Sequence, residues 1–404
     1  MTSSISFRER IALYALLTSL TSISIDALLP GLRQIGWELG VAPPLSTQHI
    51  ISIFILGMAF GELALGPLSD AMGRKKALLL GLGVYAVGTM TAMLAGSLEM
   101  VLLGRFLQGV GVSGPKIATR AMIRDQFEGD AMARVMSLMF TLFILVPMLA
   151  PALAQGVIFV AGWRIVFAVY LAMAALLGLW LTMRQPETLA AEKRIPFRPR
   201  LLLANGRRIL SKRRVTLLIV ATGIVFGAQL LYLGTAADLF FDIYGVEETF
   251  PFYFAVLATG IGLASFLNAK LVQRFGMDAM ARAAFIGLVS AGFLMLLSSL
   301  LWNGHLPLVG LMMFGFLAFF AIGVLFGNLN AMAMRSLGAV AGLGASLIAS
   351  GSSLVATLFA VAIGSFYDGS TTNLAAGFLI AGVSSFILVE LADRGDASPV
   401  EAAR

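Results

Sequence analysis

The sequence predicts an all-α membrane protein with twelve transmembrane helices in two six-helix bundles. Three observations carry that expectation. Long apolar stretches follow one another along the 404 residues, one hydrophilic segment interrupts them halfway, and the basic residues collect in alternate connections.

Composition sets the class. Hydrophobic residues make up 59% of the chain and charged residues 12%, whereas a soluble domain is about 45–50% apolar and about 25% charged. With no cysteine, disulfides and thiolate metal sites are excluded, and His49 and His305 are too few for a histidine cluster. The stretch MTSSISFRERIALYALL opens with bases like a secretory leader. Its apolar run is too long for one and no small-residue cleavage site follows, so it reads as a retained first span.

A bilayer core of roughly 30 Å takes about 20 apolar helical residues. Twelve segments qualify, near 11–32, 48–69, 77–97, 100–120, 134–158, 162–183, 214–236, 250–271, 281–301, 307–329, 340–363 and 371–392. They are continuously apolar without period-2 alternation, which argues for helices over a β-barrel. With the amino terminus placed inside, 24 of the 28 Lys and Arg fall in the inner connections and termini. Only Arg33 and Arg164 fall outside, and Arg105 and Lys116 lie within the fourth span. This asymmetry predicts a multi-pass protein of a bacterial inner membrane with both termini cytoplasmic.

The hydrophilic segment 184–213 is rich in prolines and bases and separates an amino-terminal bundle, 1–183, from a carboxy-terminal bundle, 214–404. Shifting the chain by 203 residues brings LSDAMGR (68–74) onto LVQRFGM (271–277), with Leu68 on Leu271 and Gly73 on Gly276. Six spans plus six in parallel repeat is an organisation found among secondary transporters.

The turn between spans 2 and 3 reads GPLSDAMGRKK, residues 66–76. Gly73 permits the sharp reversal. Asp70 sits at the C-terminal end of a helix, where the dipole disfavours an acid unless a base or another helix's N-terminus faces it. Span 11 starts on the same face, so a bond from Asp70 to it would latch the two halves. Arg74, Lys75 and Lys76 have a second reading as topology determinants alone.

GPLSDAMGRKK resembles the loop 2–3 signature of the major facilitator superfamily, G-x-L-x-D-x-x-G-R-K, with Ala71 where that signature usually has Arg. DALLPGL (26–32), RFLQGVG (105–111), TRAMIRD (119–125), VPMLAPALAQG (146–156), GWRIVF (162–167), QPETL (185–189) and AGLGASL (341–347) follow in order. Together they resemble the Bcr/CflA group, named for bicyclomycin and chloramphenicol resistance. The resemblance covers nearly the whole chain. It implies the major facilitator fold and efflux of lipophilic drugs by a drug:proton antiporter that needs no cofactor beyond the proton gradient. A cytoplasmic gate of Gly66, Asp70, Gly73, Arg74, Arg120, Arg124 and Asp125 is expected. In the antiporter motif of span 5, Pro147, Pro151 and Gly156 match, while Gln155 stands where a second Gly is common.

Ionisable groups inside a bilayer are costly and are functional hypotheses by default. The sequence has Asp26, Glu62, Arg105 and Lys116, all in the first half. Asp26 and Glu62 are candidate proton carriers, and Arg105 is expected to tune the acid on span 1. Glu62 stands where the resembled group usually has Gln. Arg105 and Lys116, eleven residues apart, share one helical face at about 100° per residue. Lys116 is open between two readings, a partner for Glu62 or a group that repels cationic substrates. Gln108 joins the candidate cavity groups. The second half offers Gln229 and Tyr232 on one face of span 7, and Asn328 and Asn330 at the end of span 10. Apolar walls with a few polar groups suit lipophilic ligands.

No Walker A sequence, HExxH or nucleophile–base pair occurs. GLGVYAVG (81–88) lies inside a span with no strand before it, so it reads as helix packing. The chain is therefore expected not to be an enzyme and not to bind nucleic acid. Its expected partners are small lipophilic substrates, protons and the lipid bilayer, and it is expected to act as a monomer. A transporter of one metabolite is the rival within the class. A membrane receptor would need a larger soluble segment than the sequence contains.

Overall fold

The computed structural model describes residues 5–42, 45–335, 337 and 341–394, and among them it is helical with no strand. The chain divides into two compact units, one up to Arg198 and one from Pro199 on. The first unit holds α1 (Phe7–Asp26), α2 (Leu32–Glu38), α3 (His49–Met72), α4 (Arg74–Met93), α5 (Leu98–Gln126), α6 (Gly129–Ala161) and α7 (Arg164–Arg184). The second holds α8 (Pro199–Leu210), α9 (Arg213–Asp238), α10 (Phe250–Phe275), α11 (Met277–Leu301), α12 (Leu308–Met334), α13 (Ala341–Gly364) and α14 (Thr372–Arg394).

Ten helical stretches among the described residues are long and apolar enough to cross a membrane, taking α1 with α2 as one. α5 and α6 complete twelve. The first span differs from the continuous helix expected at 11–32. α1 ends at Asp26 and a single 3-10 turn, Leu29–Gly31, precedes α2. Pro30 has no N–H to continue the ladder and its ring crowds the preceding turn, which accounts for the break. α3, by contrast, runs through Pro67 to Met72.

Helices α3, α4 and α5 meet through glycine. A side-chain carbon at Gly109 would strike the carbonyl of Phe54 on α3, and one at Gly111 would strike the backbone of Tyr85 on α4. Small residues let helix backbones approach closely in a membrane, where lipid competes equally for apolar side chains.

The two units share a turn at the positions that the 203-residue shift equates. Gly73 has φ 103° and ψ 154°, and Gly276 has φ 81° and ψ 160°. Each ends one spanning helix and starts the next, a conformation that non-glycine residues rarely adopt. The hydrophilic segment between the spans is partly helical, with a 3-10 turn at Ala191–Lys193 followed by α8.

Candidate functional site

Four of the expected ionisable groups are in the first unit, and the structure sorts them into separate environments. Arg105 is fully buried on α5. Its Nη1 donates to Gln108 Oε1 at 2.8 Å, Nη2 to the Ser24 carbonyl at 3.0 Å and Nε to the Ile50 carbonyl at 3.3 Å. The guanidinium lies 4.2 Å from the centre of the Phe54 ring. One side chain therefore ties α5 to α1 and α3, using the fixed fork that distinguishes Arg from Lys.

The polar chain continues into α4. Gln108 Nε2 donates to Thr89 Oγ1 at 2.7 Å, and Thr89 donates to the Tyr85 carbonyl at 2.7 Å. Ser24 donates to the Leu20 carbonyl, so Tyr85 donates to Ser24 Oγ at 2.6 Å. Tyr170 on α7 donates to the Ile23 carbonyl at 3.0 Å. Each donor nitrogen and hydroxyl in this buried network has at least one acceptor, which favours a network that stabilises the fold. Gln108, expected as a ligand-facing group, is instead fully buried within it because both ends of its amide are engaged.

Asp26 follows this network by two residues at the end of α1. It is 6% exposed and makes no hydrogen bond or ion pair with a described residue. Arg105 reaches the α1 backbone at Ser24 and forms no bond to the Asp26 carboxylate. The acid also sits at a helix C-terminus, where the dipole opposes negative charge.

Glu62 is in a different position. It is fully buried, and Lys116 Nζ lies 2.6 Å from its Oε1 with 20% of the lysine side chain exposed. The ammonium also sits 3.5 Å from Met58 Sδ. Arg105 and Lys116 do share a face of α5, the face that packs on α3, and Gly109 between them makes room for that neighbour. Arg120, one turn beyond Lys116, is exposed.

The turn at Gly73 gathers a second charge cluster. Arg74 is 5% exposed. It bonds to Asp70, donates to Asp125 Oδ2 at 3.0 Å through Nε, and donates to Ser69 Oγ at 3.2 Å. Asp70 thus finds its base across the turn, where α4 begins. Arg124 is exposed, while Gly66 is buried near the end of α3.

The sequence did not indicate Glu187. Its carboxylate accepts from the backbone N–H of Arg74 at 2.9 Å and of Lys75 at 3.2 Å. An acid on the free N–H groups of a helix start satisfies donors that the helix cannot and complements its dipole. A side-chain carbon at Gly73 would collide with this carboxylate. The only sequence signal was the acid inside QPETL.

α6 runs unbroken through Pro147 and Pro151 to Ala161, and Gly156 is exposed on it with open space around its α-carbon. In the second unit, Tyr232 is buried in an aromatic cluster, its ring 4.8 Å from Phe319 and 6.1 Å from Phe254. Asn328 exchanges amide bonds with Asn268 of α10 at 2.8 and 3.4 Å. Asn330 donates to its own helix at Phe326, and Gln229 is half-buried. Tyr232, Asn328 and Asn330 thus take part in aromatic packing, an interhelical amide pair and a local helix bond respectively. Among the described residues no cluster of His, Cys, Asp and Glu could hold a metal ion.

Comparison with known proteins follows the same lines. The Major Facilitator Superfamily profile matches residues 11–363. A bicyclomycin resistance protein homolog of Haemophilus influenzae is 30% identical over 297 residues, 72% of this chain and 74% of that one. The chloramphenicol resistance protein CraA of Acinetobacter baumannii is 27% identical over 293 residues, 70% of this chain and 68% of that one. Among solved structures, the xylose transporter XylE of E. coli superposes with a TM-score of 0.69 at 13% identity, covering 95% of this chain and 97% of that one, a likeness of fold.

Proposed function

Since the chain belongs to the major facilitator superfamily and, within it, to the Bcr/CflA type, we propose that this transporter is a proton-coupled antiporter. It exports lipophilic small molecules of the chloramphenicol kind across a bacterial inner membrane by alternating access. The relatives named for bicyclomycin and chloramphenicol resistance support the substrate class. The crowding of bases on one side of the spans supports cytoplasmic termini.

The observation that carries the coupling is Asp26, buried and without a bonded partner among the described residues. A carboxyl in a bilayer that lacks a countercharge gains a proton when closed off from water and releases it when water or a cation returns. Such a group responds to the change of access that alternation brings. Glu62 already has its countercharge in Lys116, so it is the less suited of the two to carry the proton. Arg105 acts on Asp26 indirectly, by fixing the last turn of α1 at Ser24. Asp70, Arg74, Asp125 and Glu187 brace the turn between α3 and α4 so that the bundle moves as one body during closure. Substrate and proton oppose one another at equilibrium, each weakening the other's binding by the same factor.

The test is drug-driven proton movement. Inverted vesicles carrying the protein are energised, a panel of lipophilic antibiotics including chloramphenicol is added, and the internal pH is followed. Release of protons on addition of at least one compound is expected. No release with any compound, together with uptake of a single metabolite in the same vesicles, would replace this reading with a dedicated metabolite carrier.

A further inference from the structure

Helix α8 has a face whose chemistry the transport reading does not use. It docks within the second unit through Gly206 and Ile209, both buried, with the Leu347 side chain of α13 against Gly206. At about 100° per residue, Leu203 and Leu210 fall beside that buried stripe, about 20° from one another. Leu203 is 79% exposed and Leu210 45% exposed. Arg200 and Arg207 form a parallel row about 60° further round, and both are exposed. The helix therefore presents in sequence a docked stripe, an apolar row and a cationic row.

Two further facts constrain what covers this face. Only Ser211 and Lys212 separate α8 from α9, a membrane-spanning helix that starts at Arg213. Leu210 and Arg213 are three residue steps apart, a reach of at most about 10 Å, so the end of α8 lies close to the level where the span leaves the bilayer. Residues 198–214 carry seven Lys and Arg and no acid. Arg207 and Arg208 favour the helix C-terminus by the dipole, but Arg200 stands in the first turn, where the dipole opposes a cation. The guanidinium groups of Arg200, Arg207 and Arg208 bond to no described residue. Helix stability does not account for Arg200.

We propose that α8 is an interfacial helix that binds the anionic lipid surface. Leu203 and Leu210 enter the acyl boundary while Arg200 and Arg207 engage phosphate headgroups, the arrangement of helices that lie in a membrane plane. The inference concerns where the linker sits and is independent of what is transported.

The chain has no cysteine, so Leu203→Cys gives a unique site for an apolar bimane dye in the full-length protein. The protein is reconstituted in phosphatidylcholine vesicles containing brominated phosphatidylglycerol or, separately, brominated phosphatidylcholine at equal mole fraction. Quenching by the brominated anionic lipid is expected to exceed that by the neutral one about threefold or more. Replacing Arg200, Arg207 and Arg208 by Gln is expected to bring the ratio near one, while replacement by Lys keeps it. Equal quenching by both lipids, or a ratio unaltered by the Gln variant, overturns the proposal. So does an equal emission change on adding soluble polyglutamate to vesicles of phosphatidylcholine alone, since the face would then take a soluble acidic partner.

Discussion

Lys116 Nζ lies 2.6 Å from Oε1 of Glu62, and the glutamate is fully buried between α3 and α5. Removing one member of such a pair strands the other's charge in the bundle, at a cost of about 3 kcal/mol or more, whereas replacing both is close to neutral. Glu62→Gln alone is therefore expected to lower the thermal midpoint in detergent by several degrees. The double variant Glu62→Gln with Lys116→Met is expected to recover most of it. A double variant as unstable as the single one would mean that Glu62 is held chiefly by other groups.

The carboxylate of Glu187 caps α4 from 113 positions along the chain. Loss of a capping acceptor costs about 1 kcal/mol, typically within about 0.5–2. Glu187→Ala is expected to destabilise by that amount and to speed proteolysis within residues 185–198, while Glu187→Gln keeps part of the effect. Equal cleavage rates in wild type and Glu187→Ala would remove the brace from this account.

Asn268 and Asn328 exchange amide bonds between α10 and α12. Interhelical polar bonds in membranes average about 0.6 kcal/mol and reach about 1.7. A double-mutant cycle with Asn268→Leu and Asn328→Leu is expected to return a coupling in that range. Zero coupling would mean that the amide exchange does not hold α10 to α12.

Gly109 is where α5 touches the α3 backbone, and an added methyl would meet the Phe54 carbonyl. Gly109→Ala is expected to destabilise by roughly 2 kcal/mol through overpacking. Gly83→Ala meets nothing within 4 Å and is expected to be neutral or slightly stabilising, because alanine is the better helix former. The thermal midpoints of the two variants decide the matter side by side.

Much of the fold was legible because spanning helices announce themselves by length and hydropathy, and Gly73 and Gly276 by their place between spans. Helix ends were less so. The break after Asp26 follows from Pro30, yet Pro67 leaves α3 continuous, and local sequence does not separate those outcomes. In the candidate site, residue types were legible and partners were not. Helical phase placed Arg105 and Lys116 on one face, but nothing in it says that Arg105 reaches carbonyls on α1 and α3 instead of a carboxylate. Glu187 and Asn268 act across 113 and 60 positions, a separation over which sequence pattern carries no pairing signal. Gln108 looked like a cavity group because its two partners, Arg105 and Thr89, converge only in three dimensions.

In the proposed mechanism Asp26 carries the coupled proton while Glu62 is held by Lys116. Proton release from energised inverted vesicles on addition of a transported drug, compared between variants, separates the two acids. Asp26→Asn is expected to abolish release while still binding drug, and Glu62→Gln with Lys116→Met is expected to retain it. Release that survives in Asp26→Asn and disappears in the Glu62–Lys116 double variant would overturn this assignment and move the proton to α3.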